Sequence, residues 1–292
     1  MNPQNIEDNT DSMSLSKINK QLIRFLHICR YAFKRLGEER GTEAAASIAF
    51  YGFFSLFPLL LVLVAVGSSF LKIPRAEAEV LEFLIGLFPF SGELVAKNIE
   101  QVLQIRGSVG ALALLALAWS GSGVFSVLAI NINRAWPKTS QHNFIKRRLF
   151  ALLMLSILVI VLLLLFVLRN IFPLLLSFVN GWEPLLGKLH YFSPLMIGGT
   201  LFVTLLILYR WIPNRRVPLK PGIWGGVVAS CALGVATKGF TWYLKSGLAR
   251  YNLVYGSLGA IAILLLWIYI SAYIILFGMH LSAAVVYFEE QQ

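Results

Sequence analysis

Lys238 is the one charged residue in the run from Pro221 to Tyr243. An ammonium group that far inside an apolar stretch costs at least a few kcal/mol unless it is paired or reaches water. Two readings fit: the side chain snorkels toward the nearby end of the run at Tyr243, or it belongs to a buried polar pathway. Other polar residues sit in or beside similar runs. Ser120, Ser122 and Asn131 lie within Gly107–Asn133, and Arg134 follows it directly. Arg210 closes the run Tyr191–Tyr209. Glu43 stands at the mouth of Ala44–Leu71, after Thr42, which reads as a helix N-cap. Pro58 falls inside that run, where proline kinks or locally opens a helix. The chemistry these groups offer is attraction and passage. Lys238, Arg134 and Arg210 would draw an anionic group, and Ser120, Ser122 and Asn131 would line a polar route. Glu43 would counter a cytoplasmic arginine, and Pro58 would break the first helix beside a binding site. Lys238 and Arg134 are predicted near opposite membrane faces, so they would mark two ends of a route.

Bond-making chemistry has little support. A nucleophile needs a base within reach, and hydrolytic metals need clustered ligands. The chain has no HExxH, GxSxG or Walker A sequence. The carboxylates near the ends of apolar runs are Glu43, Glu289 and Glu290. His280 has no second histidine at helical spacing and reads as structural. Cys29 and Cys231 lie in different regions, so neither a disulfide nor a metal site is expected. No catalytic residue, cofactor or metal is therefore assigned, and the chain is not read as an enzyme.

The elements that must position these residues are six long apolar runs: Ala44–Leu71, Gly107–Asn133, Leu149–Leu168, Tyr191–Tyr209, Pro221–Tyr243 and Tyr251–Phe288. The first three carry no charge. A helix crossing a bilayer needs about 20 apolar residues. The whole chain is 58% hydrophobic and 13% charged, against roughly 25% charged for a soluble protein. The fold expected is all-α: a polytopic membrane protein with about six transmembrane helices and an amphipathic N-terminal cytoplasmic helix. Residues 1–14 read as a disordered tail, 15–40 as the amphipathic helix and 41–288 as the membrane domain. External loops 72–106 and 169–190 could cap its outer face. The stripe Leu15, Ile18, Leu22, Phe25, Cys29, Phe33 and Leu36 recurs at helical spacing. It would lie on the membrane surface or pack on the bundle ends. No cleavable signal peptide is expected.

The net charge of +11 is unevenly spread. Basic residues gather before Arg40, from Arg134 to Arg148, and from Arg210 to Lys220, which puts both termini in the cytoplasm by the positive-inside rule. The charge therefore reports topology and contact with anionic membrane lipids, and no nucleic-acid partner is expected. Gly222, Gly226, Ser230 and Gly234 are each four apart and read as a helix-packing seam, as do Gly256 and Gly259 in the last run. Such a seam would serve within one chain or in a homo-oligomer.

Several segments resemble the YihY/BrkB family of bacterial inner-membrane proteins, historically mislabelled ribonuclease BN. The first is AAASIAFYGFFSLFPLLLVL from Ala44, and the second runs from Trp119 to Trp136 with Asn131, Asn133 and Arg134. LYRWIPNRRVPLKPGIWGG from Leu208 follows, with Lys238 and Phe240. The last is VYGSLGAIAILLLWIYISAYIILFGMHL. The resemblance covers roughly residues 25–285 and implies six spanning helices in the bacterial inner membrane. It carries no established catalytic centre. The family often has an acidic residue followed by Asn near the end of its last span, where this chain has Met279-His280-Leu281-Ser282. Some relatives are associated with serum resistance and others with export of lipopolysaccharide precursors. The function expected is an envelope transporter that moves an anionic lipid or lipid-linked precursor across the inner membrane. The alternatives are a membrane scaffold or assembly protein without transport activity, and a small-solute secondary carrier.

Overall fold

In the computed structural model the described residues are 20, 23–69, 110–136, 143, 145–157, 159–160, 198–199, 201–213, 217–246 and 257–291. The tail 1–14, the external loops 72–106 and 169–190, and Gly256 lie outside them, as do parts of the third and fourth apolar runs. All regular structure among the described residues is helical. We number the helices α1 (23–38), α2 (Gly41–Ser69), α3 (Gly110–Arg134), α4 (145–157), α5 (Leu201–Trp211), α6 (Leu219–Lys245) and α7 (Ser257–Glu290).

Helix is what an apolar run must form in lipid, because each backbone N–H and C=O has to find its partner within the segment. Among the described residues, the segments Leu115–Arg134, Leu219–Lys245 and Ile261–Glu290 are long and apolar enough to cross a membrane. The 27 residues of α6 extend about 40 Å against a hydrocarbon core of about 30 Å. The 29 residues of α2 carry no charge from Ala44 onward. The chain is an all-α polytopic membrane protein.

Two local expectations change. Helix α2 begins at Gly41, so Thr42 lies inside it rather than capping it. The carbonyl that accepts the Ala44 N–H, at 3.1 Å, belongs to Arg40. Arg40 turns the corner from α1 with φ 57°. A Cβ on Gly41 would stand 2.6 Å from Leu36 Cγ and 2.8 Å from the Leu36 carbonyl oxygen, so glycine lets the two helices meet so closely. Pro58 does not split the first span: α2 runs unbroken through it. A proline removes one N–H from the ladder and leaves the bonds on either side to carry the helix on.

The core gathers around α7. Helix α2 packs on α3 and on α7, and α6 packs on α7. The main buried cluster joins Ala44, Ala45 and Ile48 with Leu128, Ile132 and Trp136, and with Leu276 and Met279. Helix α1 packs one side on the bundle and leaves Ile23, Leu26 and Phe33 exposed. Its Ile28 and Ala32 pack on Leu281, Ala284 and Val285 of α7. Tyr31 stacks on Tyr287 with ring centroids 5.1 Å apart, and Phe25 meets Trp224 of α6 at 5.7 Å.

Candidate functional site

Helices α6 and α7 cross with backbone close against backbone. A Cβ on Gly225 would run into the Gly278 carbonyl oxygen and stand 3.0 Å from Ser282 Cβ. A Cβ on Gly278 would run into the Tyr209 hydroxyl and stand 2.7 Å from Ala229 Cβ. Tyr209, fully buried on α5, donates its O–H to the Ile275 carbonyl at 2.7 Å and so ties a third helix to the crossing. The glycine stripe lies one register away. Gly222 and Gly226 face α5, where added Cβ atoms would stand 3.3 Å from Leu206 and 3.2 Å from Phe202. Ser230 is half-buried and bonds the Val227 carbonyl of its own helix, while Gly234 faces open space. Gly259 is buried on α7.

The polar residues of α3 are buried but turned inward on their own helix. Ser120 donates to the Ala116 carbonyl at 2.6 Å and Ser122 to that of Trp119 at 3.0 Å. Asn131 Nδ2 donates to the Val127 carbonyl at 2.8 Å. Bonds of this kind satisfy a side chain without a partner helix and without water. The glycines between them fit their neighbours: Gly121 lies under Leu155 of α4, and Gly123 under the Tyr51 ring of α2.

The cations are at the periphery. Arg134 is exposed, with a long 3.4 Å hydrogen bond to Asn131 Oδ1. Arg210 is exposed at the end of α5. Lys238 is exposed on α6, in the same stretch as the exposed Val235 and Trp242. Glu43 meets Arg40 at 3.4 Å, and both side chains are open to solvent, where such a pair contributes little. The expected route residues therefore do not all converge: Ser120 and Ser122 share one turn of α3, Asn131 and Arg134 another, and the rest stand apart. A contact that spacing could not reveal is Lys220–Glu289 at 2.7 Å, which joins the start of α6 to the end of α7. The crossing itself had a signal in Gly225-x-x-x-Ala229 and Gly278-x-x-x-Ser282, a small-residue spacing that lets helices approach.

His280 is buried, with Nδ1 3.0 Å from the Leu276 carbonyl, an arrangement that puts the proton on Nδ1. Its Nε2 has no partner among the described residues. No three His, Cys, Asp or Glu side chains gather as metal ligands among those residues. On α1, burial pushes the Cys29 thiol pKa up.

The sequence profile of the family described as virulence factor BrkB matches residues 32–292. The chain belongs to the YihY/BrkB family. Curated YihY/BrkB relatives carry the name UPF0761 membrane protein. The one from Alteromonas mediterranea is 25% identical over 252 residues, covering 86% of this chain and 85% of its own. That from Mannheimia succiniciproducens is 25% identical over 265 residues, covering 90% and 89%. That from Neisseria meningitidis serogroup B is 27% identical over 270 residues, which is 90% of this chain and 64% of the relative. No solved structure matches. Membership makes this a multi-pass protein of the inner membrane. YihY/BrkB is not a known enzyme family.

Proposed function

We propose that this YihY/BrkB protein handles anionic lipid at the outer surface of its helix bundle and moves it, or a lipid-linked precursor, across the inner membrane. The observation that carries the reading is the exposed position of Lys238, Arg134 and Arg210 on a bundle whose buried serines and asparagine are closed on their own backbone. A small-solute carrier would want those buried polar groups free to line a closed cavity at mid-depth. A lipid wants cations at the rim, where a headgroup meets them while its chains stay in the bilayer. Six spans with both termini in the cytoplasm complete the proposal, on the strength of the six apolar runs and the spread of basic residues.

The experiment is translocation of labelled anionic lipid in proteoliposomes, comparing the wild type with Lys238→Ala and Arg134→Ala. Movement in the wild type that falls about tenfold in either variant, with folding intact, supports the proposal and its route; tenfold is the scale of one lost charge contact. Wild-type movement no faster than in empty vesicles, with and without a proton gradient, would turn the reading to a scaffold.

A further inference from the structure

Arg148 stands apart from the other cations. The charge pattern groups it with the basic residues after Arg134, at one membrane face. The structure instead holds its guanidinium 4.6 Å from the centroid of the Trp119 ring. Its Nη2 donates to the Trp119 carbonyl at 3.0 Å. Trp119 lies within one turn of the midpoint of α3, about 22 Å along the helix axis from Arg134. With α3 laid across a hydrocarbon core about 30 Å thick, this arginine would lie at membrane depth.

Lys146 and Arg147 precede Arg148 on α4, and the surroundings on one side are apolar and exposed. Trp119 is 73% exposed and Leu115 67%, and on α4 Ile145, Leu149 and Leu153 are exposed in turn. Those three residues, four apart, form one apolar stripe on the helix. A guanidinium has five N–H donors in a planar fork. One is used on the Trp119 carbonyl, which also accepts from Ser122 Oγ. No carboxylate pairs with Arg148 among the described residues. An arginine on a lipid-facing surface at this depth is costly unless an anion or water accompanies it. The anion a bilayer supplies is a phosphodiester, which matches the fork in two parallel hydrogen bonds.

We propose that Arg148 and Trp119 form a binding site for the phosphodiester headgroup of an anionic phospholipid. The site lies on the outside of α3 and α4, and the acyl chains lie along Ile145, Leu149 and Leu153. The Trp119 ring and carbonyl hold the guanidinium in place and leave the rest of its fork for the phosphodiester. A headgroup drawn to this depth pulls the polar surface of the bilayer inward. The site does not depend on whether the chain transports lipid.

The test is native mass spectrometry of the full chain, extracted in detergent from vesicles of phosphatidylcholine and phosphatidylglycerol in equal parts. We expect the wild type to retain phosphatidylglycerol over phosphatidylcholine, and Arg148→Gln to retain about tenfold less, the scale of a lost charge-assisted contact. Arg148→Lys should fall between them, since it keeps the charge without the fork, and it guards against a folding artefact. Lys220→Gln should match the wild type, and added glycerol phosphate should displace nothing. Equal retention by the wild type and Arg148→Gln would overturn the proposal. So would equal retention of the two lipids, or displacement by the soluble phosphate. Translocation is not part of this readout, so the site and the transport proposal stand or fall separately.

Discussion

Arg40 holds a backbone conformation that side chains disfavour. Its φ of 57° is the one positive value at a non-glycine position among the described residues, and the left-handed region costs such a residue roughly 1–2 kcal/mol. The exposed pair with Glu43 does not offset that cost. Arg40→Gly removes the Cβ clash and adds chain entropy to the unfolded state, so a net gain of about 0.5–1 kcal/mol is expected. Arg40→Val should lose stability, because a branched Cβ fits this region least. Thermal unfolding of the three proteins in one detergent should rank Gly above Arg above Val. Parity between Gly and Val would mean that the corner relaxes. The sequence marked the neighbourhood, with Gly37 and Gly41 on either side, but not the residue. Local rules assign a positive φ to glycine, and here Gly41 is used for close approach to Leu36 while arginine takes the turn.

Among the helices, the α6–α7 crossing is decided by backbone. An alanine at Gly225 would meet the Gly278 carbonyl, and one at Gly278 would meet the Tyr209 hydroxyl, neither at the free end of a flexible chain. Gly225→Ala and Gly278→Ala should each cost about 1–3 kcal/mol, the range for overfilling a packed site. Gly234→Ala, which meets open space, should be neutral or stabilise by up to about 1 kcal/mol. Folded yield and unfolding temperature of the three variants check this. Equal loss at all three positions would place the seam on the original stripe instead. That a small-residue seam exists was legible from Gly222 to Gly234. Its register was not, because α6 has glycine at both 225 and 226, and adjacent residues point about 100° apart around a helix. The serines of α3 show the same limit. Their burial could be expected from the apolar run around them, but not their choice of an own-helix carbonyl over a neighbour or a pathway.

In the whole molecule, α7 is the hub: it touches α1, α2, α3, α5 and α6. Its sequence did not foretell that, since a helix apolar all round shows no preferred face and apolar character does not select partners in lipid. What could be read was the helical class and the presence of several apolar runs long enough to span a bilayer. The hub has a consequence for biosynthesis. Chain growth makes α7 after the other helices, so α1 is complete long before the surface that covers Ile28 and Ala32 exists. Some 250 residues separate those positions from their partners in α7, a wait of roughly 10–50 s at ordinary rates of synthesis. During that interval α1 lacks the α7 surface that covers Ile28 and Ala32 in the folded bundle. Cys29 reports the docking, because thiolate is the form that alkylates and burial raises its pKa. In a Cys231→Ser background, ribosome-bound chains stalled before Ser257 should label fast at neutral pH. Chains stalled in a linker added after Gln292 should label slowly and speed up as pH rises. Equal labelling in both would mean that α1 finds its cover without α7.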